Sequence, residues 1–193
     1  QPMMGSVPVK ADGLGGAVDP SCYPTLFGNW AGLDECCIGC VNMSYKLVGQ
    51  SCPIIWDNGG AQVGLGAGGV LSENISTTTK SRAADDFVVK PCADQVVCLI
   101  DAWVWSNCVP VRGFIEIYAD DCGKPGSLVW AAINPTVIET GEVATIDGVT
   151  RHGYILRFDG MTLTLTGGRS YWLSAGGDRT GAFNARTYFA FGG

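Results

Sequence analysis

Nine cysteines in 193 residues are the groups with the most chemistry in this chain, and five of them, Cys22, Cys36, Cys37, Cys40 and Cys52, precede residue 53. Thiolates two to four residues apart can converge on one zinc or iron–sulfur centre, so Cys36-Cys37-Ile38-Gly39-Cys40 admits a metal reading. An acidic, glycine-rich chain of exported character suits oxidised cysteines better, and a disulfide knot holding a loop-rich segment is the expected state. Adjacent Cys36 and Cys37 would take different partners, because a vicinal bridge is strained. Cys92 and Cys98 bracket a short loop and are expected to staple it. Cys108 and Cys122 flank a strand at Val111 to Ala119 and could join the loops at its ends, each bridge adding about 2 to 4 kcal/mol. Because the count is odd, at least one sulfur is left for a partner, a modification or burial, and it is expected in the N-terminal group.

Carboxylates come next. Asp57, Asp85, Asp86, Asp120 and Asp121 sit in expected turns, where carboxylates and loop carbonyls could enclose Ca²⁺. Ordinary turn chemistry competes, since Asp bonds its own backbone in turns, and no EF-hand spacing is present. His152 is the single histidine. It offers one possible base with no signature around any nucleophile, and reads as a turn residue between Val149 and Tyr154. Glu116, Glu139 and Glu142 would have to flank one glycosidic bond to act as a glycosidase pair, and nothing in the sequence brings them together. An enzyme is not expected.

Trp103, Trp105, Trp130, Trp172, Tyr171 and Tyr188 could stack on sugar rings, but their places inside expected strands point to the core. The run Gly64 to Gly69 lacks the Lys-Ser/Thr of a phosphate loop and reads as flexible or closely packed strand. Asn42-Met43-Ser44 and Asn74-Ile75-Ser76 are glycosylation sequons.

The elements that must position these groups are short strands. Twenty-eight glycines, 47% hydrophobic and only 16% charged residues indicate tight turns and a surface poor in charge. A net charge of −6 without a Lys/Arg cluster argues against nucleic acid. No apolar run reaches membrane-helix length; the best, Val96 to Trp105, is broken by Asp101. Residues 1–53 form a Cys-rich block without sustained periodicity, in which only Leu33 to Tyr45 offers a short helix or turn. Residues 54–193 read as strands at Phe87–Lys90, Val96–Trp105, Val111–Ala119, Leu128–Ile133, Val143–Val149, Tyr154–Phe158, Thr162–Leu165, Tyr171–Ala175 and Thr187–Phe191. Met161, Leu163 and Leu165 alternate with Thr162, Thr164 and Thr166, giving one buried face. Gly167-Gly168 is expected to close a hairpin with Tyr171 to Ala175 returning antiparallel. Val96 to Trp105 is apolar on both faces and should be a central strand covered on both sides. The fold class is an all-β antiparallel sandwich.

Asp57-Asn58-Gly59-Gly60, Ala84-Asp85-Asp86-Phe87, Ile117 to Asp121 with Lys124-Pro125-Gly126, and Leu163 through Tyr171-Trp172-Leu173-Ser174 carry a resemblance across about residues 54–180. In this order they resemble a jelly-roll-like β-sandwich module of secreted and surface proteins from planctomycetes and related environmental bacteria. The resemblance implies a fold and an extracellular or cell-surface location more than an activity. The Cys-rich block departs from that pattern.

The combined expectation is an exported, non-enzymatic structural protein that self-assembles into a filament, surface layer or matrix. Val7, Val9, Leu14 and Val18 would be the apolar points of an N-terminal arm that adds to a neighbour's sheet edge, making a homo-oligomer or polymer. The alternative is a carbohydrate-binding or adhesive module. No cofactor is expected beyond possible Ca²⁺.

Overall fold

The computed structural model describes residues 43–49, 54–64, 67–75, 80–91, 93–179 and 186–192. Within them thirteen strands follow one another: β1 (Tyr45–Gly49), β2 (Ile54–Asp57), β3 (Gly69–Leu71), β4 (Glu73–Asn74), β5 (Lys80–Ser81), β6 (Ala84–Val88), β7 (Gln95–Ser106), β8 (Phe114–Asp120), β9 (Pro125–Ile133), β10 (Thr136–Ile146), β11 (Val149–Leu165), β12 (Ser170–Asp178) and β13 (Thr187–Ala190). No α-helix occurs among the described residues. The expected all-β sandwich is what forms.

One sheet has seven strands. It runs β10-β11-β7-β1-β2, and β13 also pairs with β7 and carries β3. The other has six, ordered β5-β4-β12-β8-β9, with β6 also on β12. Both central strands, β7 and β12, give one edge to a single long partner and share the other between two short ones. Thus β7 meets β11 from Gln95 to Ser106, and on its far side β1 near Ala102 and then β13 near Trp105. Taken alone, β3-β13-β7-β11 faces β6-β12-β8-β9, all antiparallel. In chain order these eight strands stand 1-8-3-6 over 2-7-4-5, the double Greek key of a jelly roll. β10 is appended outside β11, and β4 is the one strand parallel to its neighbour β12.

The core fills the space between the sheets. Tyr45 and Leu47 from β1, Ile100, Ala102 and Val104 from β7, and Leu156 from β11 meet Phe87 from β6, Ile115 and Ile117 from β8, and Leu173 from β12. Period-two alternation puts these side chains on one face of each strand. Aromatic rings link the layers: Phe87 lies 6.0 Å from Tyr45 and 5.9 Å from Tyr171, spacings at which ring pairs attract. β1 belongs to the sequence block 1–53, so the sandwich draws on residues of that block.

β7 is covered on both sides, as its sequence requires. Its outer face carries Trp103 and Trp105, which cluster with Ala144 and Ile146 of β10 and Tyr188 and Ala190 of β13, under Ala61 and Ala67 of the β2–β3 connection.

Met161, Leu163 and Leu165 point inward and Thr162 and Thr164 outward, as their alternation indicates. The hairpin expected after them does not form. β11 stays in the seven-stranded sheet, whereas β12 pairs with β6 and β8 in the other. The Gly168 amide donates to Val89 O at 2.9 Å and the Val89 amide donates to Arg169 O at 3.0 Å. The turn is thereby committed to the β6 end and carries the chain from one sheet to the other. A Cβ at Gly167 would come within 2.6 Å of Ala93 O, so this close backbone approach needs glycine.

Candidate functional site

The cysteine candidates divide by position. Cys22, Cys36, Cys37, Cys40, Cys52 and Cys92 lie outside the described residues, as do Val7, Val9, Leu14 and Val18 of the expected arm and most of Leu33 to Tyr45. Cys98, Cys108 and Cys122 carry free thiols. Cys98 donates its S–H to Gly49 O at 3.0 Å, across the β1–β7 ladder. The bridge expected between Cys108 and Cys122 is absent for a geometric reason. Cys108 precedes β8 and Cys122 follows it, and the seven extended residues of β8 span about 20 Å between the loops that carry them. A disulfide holds Cα atoms within about 7 Å.

The acidic candidates are dispersed over β2, β6 and the β8–β9 hairpin. Asp57, at the end of β2, accepts the Gly59 amide at 3.0 Å and faces Lys46 at 3.8 Å. Asp120 accepts the Gly123 amide and the Trp172 indole N–H, the latter at 2.8 Å. Asp121 shapes the same hairpin, its amide donating to Lys124 O. Asp86 and Asp85 lie in β6 rather than in a turn. Asp85 is buried and accepts on one oxygen the Met43 amide at 2.9 Å and the Asn58 side-chain amide at 2.8 Å. It thereby ties the six-stranded sheet to the start of β1 and the end of β2. Burial pushes its carboxyl well above the usual range, and the neighbouring Asp86 charge adds to this against the hydrogen bonds it accepts. Among the described residues, no three His, Cys, Asp or Glu side chains converge where a metal could sit.

Glu116 has a different environment from the one a glycosidic acid needs. It stands on the outer face of β8, paired bidentately with Arg82 at 2.6 and 3.1 Å, and takes the Tyr118 hydroxyl at 2.6 Å. Arg82 also donates to Asn74 Oδ1 and lies 4.0 Å over the Phe114 ring. Burial alone would raise Glu116, but the Arg82 bonds and charge, with the Tyr118 hydroxyl, hold it below the usual carboxylate range. Glu139 and Glu142 belong to β10 in the other sheet, so the three glutamates form no pair across a shared cleft. His152 lies within β11, not in a turn, half-exposed and 3.9 Å from Glu139.

The aromatic candidates are mostly core. Trp105, Trp172, Tyr171 and Tyr188 are buried, and Trp103 and Trp130 are half-buried, the latter edge-on to Phe158 at 6.3 Å. A cleft of about 400 Å³ opens beside Asp120, Thr166, Arg169, Ser170 and Tyr171. Its carboxylate already serves Trp172 and Gly123, and the Tyr171 hydroxyl accepts the Thr166 amide. Tyr171, the aromatic ring that lines it, is 8% exposed.

Two features escape inspection of the sequence. A row of alternating charge crosses four strands of the seven-stranded sheet: Arg157 opposes Asp101, Asp101 opposes Lys46, and Lys46 opposes Asp57. Arg157 grips Asp101 with bonds of 2.8 and 2.7 Å. Asp101 inside an apolar run was the available signal, because a buried carboxylate needs a partner. The second feature is the open side of the sandwich. β9 and β10 are the outer strands of the two sheets, joined through Asn134-Pro135, and they expose Leu128, Val129, Ile133 and Val143, with Val149 following in β11. Pro125 heading an uncharged run could have marked β9 as an edge, since Pro is confined to edges and strand starts.

These observations define the class as an all-β protein, a two-sheet sandwich with jelly-roll connectivity. Comparison with family models, with curated proteins and with solved structures gave no match for this chain.

Proposed function

We propose that this is an extracellular, non-enzymatic structural protein that self-assembles into a filament, surface layer or matrix. The observation that carries the reading is the apolar open side formed by β9 and β10, where Leu128 is 55%, Val143 53% and Ile133 70% exposed. Apolar side chains exposed on outer strands favour association, because covering them removes apolar area from water at about 25 cal/mol per Å². Sparse charge supports the same reading: with 16% charged residues, little repulsion opposes contact between copies. The N-terminal segment around Val7, Val9, Leu14 and Val18 is a second connector in this account. A carbohydrate-binding module, the alternative from sequence, draws less support, because none of the five described tryptophans is among the exposed residues.

Negative-stain microscopy of the full-length protein, purified without reductant, tests the proposal. Regular polymers or sheets are the expected outcome. Uniform particles of single-chain size at every concentration would overturn it.

A further inference from the structure

We infer that β9 is a copy-to-copy interface, in which the β9 strands of two chains pair antiparallel about a twofold axis and join their six-stranded sheets into one. The inference rests on the self-assembly reading and names its contact surface. β9 is the outermost strand of β5-β4-β12-β8-β9, and among the described residues no strand pairs with its outer edge. An unpaired edge offers a row of amides and carbonyls to any extended segment, and proteins ordinarily blunt such edges with charge, shortness or bulges.

The other open edges are blunted. β2 has four residues and ends in Asp57, β3 has three, and β5 has two including Lys80. β6 has five residues, and Met43, Tyr45 and Asn58 are bonded to it at Asp85 and Asp86. β10 is broken by a register shift between Glu139 and Val143, with Gly141 at φ 79° and glutamates on both sides. β9 has nine residues, Pro-Gly-Ser-Leu-Val-Trp-Ala-Ala-Ile, and no charge. Its register with β8 shifts twice, between Trp130 and Leu128 and again between Leu128 and Pro125, so the open length is Trp130 to Ile133, which continue unbroken against Ile117 to Phe114.

The choice of occupant follows from symmetry. A twofold contact sets the same surface against itself, so a charged edge would oppose like charges, whereas an uncharged edge incurs no such cost. β9 is therefore suited to a second copy of itself. Residues directly opposite in an antiparallel pair share a face, so the axis passes through a residue. An axis through Ala132 sets Ala131 of each copy opposite Ile133 of the other on the outer face. The small Ala131 and Ala132 allow close approach, and Ile133, the most exposed large hydrophobic side chain of the described residues, becomes covered.

The test is the mass of the full-length chain by light scattering, comparing wild type with the double variant Ala131→Lys/Ile133→Lys and with Val109→Lys as control. The double variant places like charges opposite one another across the axis. It should weaken association at least about tenfold, shifting the smallest associated species to single chains. Both positions are exposed, so its melting temperature should stay near wild type, and Val109→Lys, in the β7–β8 connection, should associate as wild type does. Wild-type association retained in the double variant would overturn the interface while leaving self-assembly to other surfaces. Discrete pairs lost in the double variant, with no polymer in micrographs, would uphold the interface and overturn the filament reading. A wild type that stays monomeric would overturn both.

Discussion

Asp85 and Glu116 give the sandwich opposite responses to pH. Below the unfolded carboxylate pKa of about 3.9, Asp85 is protonated in both states and its burial carries no charge penalty. As pH rises, the unfolded chain releases that proton while the folded chain holds it, so stability falls until the raised folded pKa is passed. Asp85→Asn removes this slope. Urea midpoints measured from about pH 4 to about pH 8 should therefore decline in wild type relative to the variant, and parallel profiles would contradict the assignment. Glu116 has the reverse sign, because its folded pKa is lowered. Its contribution is present above the unfolded pKa and is lost as pH falls through the folded value. Glu116→Gln should cost about 2 to 3 kcal/mol at neutral pH, since the Arg82 charge stays largely buried with a weaker acceptor. That deficit should shrink in acid, and a pH-independent deficit would show that packing, not charge, is lost.

At the scale of elements, the crossing at Gly167-Gly168 decides the topology, because there the chain leaves β11 and enters the opposite sheet as β12. Gly167→Ala would press a methyl group into the Ala93 backbone and should destabilise the fold by about 1 to 3 kcal/mol, read from the denaturant midpoint. An unchanged midpoint would mean that the crossing tolerates rearrangement. The same position shows how far the sequence was legible. Alternation at Met161 to Thr166 marks a strand and its buried face correctly, and two glycines mark a reversal. Which sheet receives the returning strand depends on Val89 pairing with Gly168 and Arg169, a contact between segments nearly eighty residues apart. The two strands read at Tyr154–Phe158 and Thr162–Leu165 are one, β11, because a register irregularity around Asp159 to Leu163 interrupts the pattern without ending the strand. Trp103 and Trp105 were readable as covered on both sides of β7, since no exposed strand carries such a run. Their cover, from β10, β13 and the β2–β3 connection, needed the three-dimensional register. For the acidic candidates, Asp57 and Asp120 do cap turns, whereas Asp85 turned out to be a core tie because its partners, Met43 and Asn58, are distant in sequence.

For the whole molecule, the two outer strands β9 and β10 set the character of the surface. They follow one another in the chain, lie at the margins of different sheets, and expose Leu128, Val129, Ile133 and Val143, while the far edges β2, β3 and β5 are short. A surface of this kind is tolerated where it meets another copy, and that requirement is the core of the functional account. Sedimentation velocity of the full-length, non-reduced chain from about 1 to about 100 μM, a range spanning micromolar affinities, tests it most directly. The account predicts sedimentation coefficients that rise with concentration towards large assemblies; a single-chain coefficient constant across the whole range would contradict it.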